Sequence, residues 1–183
     1  MDLTAVAEAL RCVTVEITRD GRVAGAGVVW APELIVTSAH VLHRRPRVAL
    51  RDAQGHRADG CVVASDRDAD LALVHTPGLG PPAAHCRDED VPVGALVVAL
   101  GHPLGVRGAL TRGIVHAVGA VSRGGRAWIQ ADLKLQPGNS GGPMADARGH
   151  LVGLNAMIVG GLAFAIPVGE VQRFVRSAGV AVP

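Results

Sequence analysis

At 183 residues, 49% hydrophobic and 19% charged, the chain can bury one large core or two small ones, and it is too apolar for a disordered segment. Aromatic residues make up only 2%, with two Trp, two Phe and no Tyr, so the core must be built from Val, Leu, Ile and Ala, and base stacking on exposed rings is excluded as a main route to nucleic acid. The formal net charge is +2 with both signs interspersed, and the longest basic cluster, His43-Arg44-Arg45-Pro46-Arg47, reads as a solvated turn rather than the broad stripe a nucleic-acid partner needs.

Met1-Asp2-Leu3-Thr4 places an acid where a secretory leader would be basic. No stretch approaches the roughly 18 apolar residues of a membrane span. The expectation is a cytoplasmic protein with no membrane partner, or a secreted or periplasmic one if a leader has been removed. Leu3, Val6, Ala7 and Leu10 then fall at helical spacing. Strand-like runs follow at Val13–Thr18, Gly25–Trp30, Leu34–Thr37, Val48–Leu50, Cys61–Ala64, Leu71–His75, Ala95–Leu100, Ile114–Val118, Ala127–Gln130, Leu151–Met157 and Leu162–Ile166. Val168, Val171, Phe174 and Val175 mark a closing helix, with Pro167 at its start and Gly179 past its end. Many short strands with Gly/Pro turns predict an all-β sandwich or barrel rather than βα units. The Gly/Pro-rich stretch Thr76–Ala83 divides the chain into halves, 1–80 and 81–183. The odd count of three cysteines, Cys12, Cys61 and Cys86, is no disulfide framework, though it leaves room for one bridge and a free thiol, and without a C-x-x-C pair no zinc site is expected. Cys12 and Cys61 lie in apolar runs and read as small core residues.

Three segments carry chemistry. In Gln136-Pro137-Gly138-Asn139-Ser140-Gly141-Gly142-Pro143, glycines let the backbone bend around a serine and aim N–H groups at one point, as acyl transfer requires. Alone, the segment also fits a turn that only reverses the chain. In Leu34-Ile35-Val36-Thr37-Ser38-Ala39-His40, a histidine follows a strand that would hold it rigidly, as a general base must be held. Any one of the eight histidines could equally be a surface residue. In Asp68-Ala69-Asp70-Leu71-Ala72-Leu73-Val74, an acid enters an apolar strand, where burial is costly without a partner such as a histidine N–H. Asp66 and Asp68 compete with Asp70, but only Asp70 adjoins the run. The order His, Asp, Ser is that of chymotrypsin-like enzymes.

Thr37-Ser38-Ala39-His40-Val41, Asp70-Leu71-Ala72-Leu73-Val74, Gly101-His102-Pro103-Leu104-Gly105, Ile129-Gln130-Ala131-Asp132, Pro137–Pro143, Gly153-Leu154-Asn155 and Phe164-Ala165-Ile166-Pro167 together resemble the protease domain of the trypsin/chymotrypsin superfamily, most closely its bacterial HtrA/Deg branch. The resemblance implies two six-stranded antiparallel β-barrels with a short C-terminal helix. It implies His40, Asp70 and Ser140 as a catalytic triad, with His40 and Asp70 in the first half and Ser140 in the second. The oxyanion loop would be Gly138-Asn139-Ser140, with N–H groups from Gly138 and Ser140. It implies a serine endopeptidase acting on protein or peptide without metal or cofactor.

The departures matter as much. Asn139 is neutral where trypsin-like digestive enzymes carry an aspartate, so activation by a new N-terminus is not expected, and ordering of the oxyanion loop is. Lys134 stands near the base of the primary specificity pocket, turned either to solvent or toward acidic side chains, so cleavage after Lys or Arg is not expected. Leu135, Gln136, Asn155, Ala156 and Met157 complete the expected substrate-binding set, suited to small aliphatic side chains. His102 receives no role. No PDZ domain is present in the sequence, so the oligomeric state and any regulatory partner stay open. The rival readings are a catalytically idle peptide-binding module, an esterase, a protease effector domain of a larger signalling chain, and a nucleic-acid or membrane adaptor, for which only the Arg44–Arg47 cluster speaks.

Overall fold

A computed structural model describes residues 2–79, 83–120 and 125–179. Among them are twelve strands, closed into two six-stranded barrels. The first holds β1 (Thr14–Arg19), β2 (Arg22–Ala31), β3 (Leu34–Thr37), β4 (Arg47–Arg51), β5 (Arg57–Asp66) and β6 (Leu71–His75). The second holds β7 (Leu96–Gly101), β8 (Ala109–Ala120), β9 (Ala127–Asp132), β10 (Pro143–Asp146), β11 (Leu151–Val159) and β12 (Leu162–Pro167). Around the barrels the orders are β1-β2-β3-β6-β5-β4 and β7-β8-β9-β12-β11-β10, so one strand path is traced twice. Three helices accompany them among the described residues: α1 (Thr4–Cys12), α2 (Ala39–Leu42) and α3 (Val168–Ser177).

Side-chain alternation sorts each central strand between two cores. In β3 and β6, Ile35, Ala72 and Val74 point into the first barrel. Leu34, Val36, Leu71 and Leu73 point the other way, into a layer shared with Leu151, Leu154 and Ile166 of the second barrel. Val152, Ala163 and Ala165 fill the second barrel's interior. Each fully buried Leu, Ile or Val stabilises by about 1.5–3 kcal/mol, so aliphatic residues carry most of the core, with Trp128 packed on the shared layer and Phe164 buried beside it. The helices cross over. α1 precedes the first barrel yet sets Leu10 against Val98, Leu100 and Ala145 of the second. α3 ends the second barrel and inserts Val171 and Val175 into the shared layer.

The double barrel and its closing helix agree with the expected fold. The strand β10 was not expected. It is four residues long, follows a glycine-rich loop and opens on Pro143, whose missing N–H is tolerated at a strand's first position. Cys61 is a correction: it is exposed, on the outer face of β5, and Cys12 is only half-buried. The expected connector Thr76–Ala83 lies partly outside the described residues. No helix among the described residues is long and apolar enough to cross a membrane.

Candidate active site

Antiparallel pairing of β3 with β6 sets Thr37 opposite Ala72. The residues just past β3 and just before β6 therefore share one end of the barrel. One turn of helix, α2, begins there and carries His40; Asp70 closes the turn that enters β6. The Ala39 N–H donates to the Asp70 carbonyl at 3.1 Å. The His40 N–H donates to Asp70 Oδ1 at 2.9 Å, and His40 Nδ1 lies 3.0 Å from Oδ1 and 2.8 Å from Oδ2. A carboxylate only accepts, so Nδ1 carries the hydrogen, and in the neutral ring the lone pair falls to Nε2. The Asp70 side chain is 15% exposed against 50% for His40, so the acid is sheltered while the imidazole opens outward.

Ser140 lies in the loop between β9 and β10. A turn closes from the Asn139 N–H to the Gln136 carbonyl at 3.0 Å, with Gly138 at φ +107°. Only glycine fits there: a Cβ on Gly138 would overlap the His102 carbonyl. The Ala26 N–H donates to the Ser140 carbonyl at 2.8 Å and ties the loop to the first barrel. The Pro137 carbonyl accepts from the Leu104 N–H at 3.2 Å, and the Gly138 carbonyl from the His102 N–H at 3.0 Å. A trans peptide points its N–H opposite to its carbonyl, so the Gly138 N–H faces away from Leu104. The Gly138 and Ser140 N–H groups have no acceptor among the described residues. The Ser140 hydroxyl donates to the Ala156 carbonyl at 3.1 Å, and no hydrogen bond joins it to His40.

His40 and Ser140 line one cleft of about 620 Å³ between the barrels, with Gln136, Gly138, Leu135, Ala156 and Met157. Ile158, Leu104 and Arg22 also line it and were not foreseen. Three expected residues sit elsewhere or act otherwise. Lys134 is exposed and outside the cleft lining, because Leu133 and Leu135 take the inward positions beside it. Asn155 is fully buried, its amide donating to the Pro143 carbonyl at 3.0 Å, so it braces β10 rather than facing a ligand. Asn139 lines the cleft, but its N–H is spent on Gln136, leaving it no oxyanion donor, and its buried side chain packs against Gly101.

His102, left without a role, stands behind the turn that carries Gly138. Its backbone holds Gly138, and its buried Nδ1 accepts from the Gly108 N–H at 3.2 Å. Burial, with some help from Arg107, pushes its pKa below the usual 6.5, against the pull of Glu16 and the Val15 carbonyl. The signal for this support lay in the run Gly101–Gly105.

The profile of the trypsin-like peptidase domain matches residues 25–154. Serine protease HTRA1 of Xenopus tropicalis is 32% identical over 163 residues, covering 82% of this chain and 35% of that protein. Serine protease HTRA2, mitochondrial, of Bos taurus is 35% identical over 162 residues, covering 83% and 35%. The putative serine protease HhoA of Synechocystis is 32% identical over 182 residues, covering 90% and 46%. The chain thus spans a third to a half of the length of these relatives. Among solved structures, the Rv3671c protease of M. tuberculosis in an inactive form superposes with a TM-score of 0.85 at 26% identity, covering 96% of this chain and 93% of that one. The HtrA-type protease AlgW with a decapeptide gives 0.89 at 23% identity, over 97% and 67%, a likeness of fold. A double barrel of matching topology, a His–Asp pair at the end of one barrel, a glycine-bound serine on the other and a profile match across most of both leave one assignment: this chain belongs to the trypsin-like peptidase family, among relatives of the HtrA type.

Proposed function

We propose that the chain is a serine endopeptidase in which Ser140 is the nucleophile, His40 the general base and Asp70 the group that orients the imidazole. The observation that carries this is the two-point hold of Asp70 on His40, which leaves the Nε2 lone pair free in the cleft that Ser140 shares. Ser140 Oγ attacks the peptide carbonyl as its proton passes to His40 Nε2. The negative oxygen is met by the Gly138 and Ser140 N–H groups, whose lack of other acceptors supports that role. The imidazolium then gives its proton to the departing amine, and water repeats the sequence on the acyl-enzyme. Leu135, Ala156, Met157 and Ile158 favour apolar side chains on the acyl side.

The Ser140–Ala156 hydrogen bond favours a resting state. Rotation of the serine side chain has to break it before the hydroxyl can meet His40. Control at that step suits a domain that is one part of a longer regulated chain, as the length of its relatives suggests. The test is labelling by a fluorophosphonate beside turnover of a peptide library. Labelling lost in Ser140→Ala, with cleavage after small apolar residues, is the expected result. A folded protein that binds peptides but neither labels nor cleaves them makes the chain an idle binding module instead. Cleavage confined to Lys and Arg rejects the apolar pocket.

A further inference from the structure

Asp70 adopts φ +53°, a left-handed conformation uncommon in side-chain-bearing residues, though Asp enters it more readily than most. The turn that leads into it has few bonds of its own. The Ala69 N–H donates to Asp66 Oδ1 at 2.9 Å, and the Asp70 N–H reaches the Arg67 carbonyl at 3.3 Å. Asp66, Arg67 and Asp68 are all exposed. Within its own barrel Asp70 is held by the Ala39 and His40 N–H groups, and one further hold, on Asp68, comes from the other barrel. Arg126, two residues before Trp128 on β9, donates from Nη1 to the Asp68 carbonyl at 3.2 Å.

That guanidinium is itself well anchored. It lies 3.8 Å from the centroid of the Trp128 ring. Trp128 stands edge-on to Phe164 at 5.8 Å and packs on the apolar layer between the barrels. Partial burial lowers the Arg126 pKa, and the charges of Asp70, Glu170 and Asp66 oppose that, so the group stays charged. A continuous set of contacts runs from the second barrel's aromatic pair through Arg126 to the backbone two residues before Asp70.

We infer that Arg126 is a positioning residue: from the second barrel it fixes the turn that aims the Asp70 carboxylate at His40. The inference rests on the triad reading above. Docking of the barrels then does more than form the cleft; it sets the geometry of a pair lying wholly within one barrel. A planar, charged donor on an aromatic shelf suits that task, because its direction is set before it meets the carbonyl.

The test compares wild type, Arg126→Met, Arg126→Gln and Arg126→Lys in peptide kinetics, thermal melting and proton NMR of the His40 Nδ1–H. Met removes the donor, Gln is too short to span the gap, and Lys keeps a charged donor of similar reach. In R126M, kcat should fall about tenfold with KM changed less than about twofold, because small losses of alignment act on the transition state. The Nδ1–H resonance should broaden or move, and R126K should recover most of kcat. If R126M does not fold, R126Q carries the same comparison. A lowered melting point with kcat and the resonance unchanged would make Arg126 a stability contact and overturn the inference. So would an R126K no better than R126M. Wild type that neither labels with fluorophosphonate nor cleaves peptide sinks the triad reading, and this one with it. Normal wild-type turnover that is indifferent to every Arg126 variant sinks the positioning role alone.

Discussion

The two halves of the site stand on the same strand path but are held by opposite means. In the first barrel, His40 and Asp70 are side chains at the ends of paired strands, joined directly at 2.8–3.0 Å. In the second, the proposed groups are backbone N–H donors and a serine on a loop, held by carbonyl contacts to His102, Leu104 and Ala26 and with the hydroxyl turned to Ala156. The first half is complete as it stands. The second depends on a few backbone torsions and on the rotamer of one serine.

The largest effect that can break this contrast comes from the first half. Asp70→Asn should lower kcat/KM by about 10,000-fold, because an amide offers the imidazole the wrong tautomer while the fold is kept. A loss below about tenfold would mean that the pair is not the working base. Next comes Gly138→Ala, whose methyl group meets the His102 carbonyl. Distorting the hole should lower kcat by about 100- to 1,000-fold with substrate binding little changed. An equal loss in kcat and in melting temperature alone, restored by lower assay temperature, would show damage to folding rather than to the donors.

A smaller effect sharpens the picture of the loop's support. His102 has a folded pKa below its usual 6.5, so above that pH it is neutral both folded and unfolded and contributes no slope. As pH falls below about 6.5, the unfolded chain takes up a proton that the folded chain refuses, and stability declines until the folded value is passed. Protonation also ends the bond that Nδ1 accepts from Gly108. Urea unfolding at several pH values should show this acid slope reduced in His102→Asn, and an unchanged slope would assign it to other groups. The smallest effect is expected at Lys134. As an exposed residue outside the cleft, its change to Ala should alter kcat/KM by less than about twofold on neutral and acidic peptides alike. Selective loss on acidic peptides would return Lys134 to the pocket.

The same contrast explains what could be read from the chain. The stretches around His40, Asp70 and Ser140 stood out in the sequence because each interrupts an apolar or glycine pattern with one reactive side chain, and the structure sets His40 against Asp70 and brings His40 and Ser140 to one cleft. The strand bounds of β3 and β6 were legible for a related reason: each is an apolar run closed by one polar residue, Thr37 or His75, and flanked by turn residues. β10 was not, since four residues opening on proline after a run of glycines show no period. Lys134 and Asn155 were placed at the pocket by position in a family pattern, Lys134 with a solvent-facing alternative; alternation turns Lys134 out, as that alternative had it, and the Pro143 carbonyl claims Asn155. His102 and Arg126 act through backbone carbonyls and N–H groups, and such contacts leave little trace in side-chain identity.

The exchange of helices between the barrels has a mechanical meaning. Because α1 grips the barrel it does not begin and α3 wedges against the layer both barrels share, neither half can drift away while its own end remains seated. A chain severed between β6 and β7 would behave as two clasped fragments, each supplying the other with a missing cover. The molecule should accordingly melt in one cooperative step, and hinge-like opening of the groove is an expensive route to regulation beside the turn of a single serine.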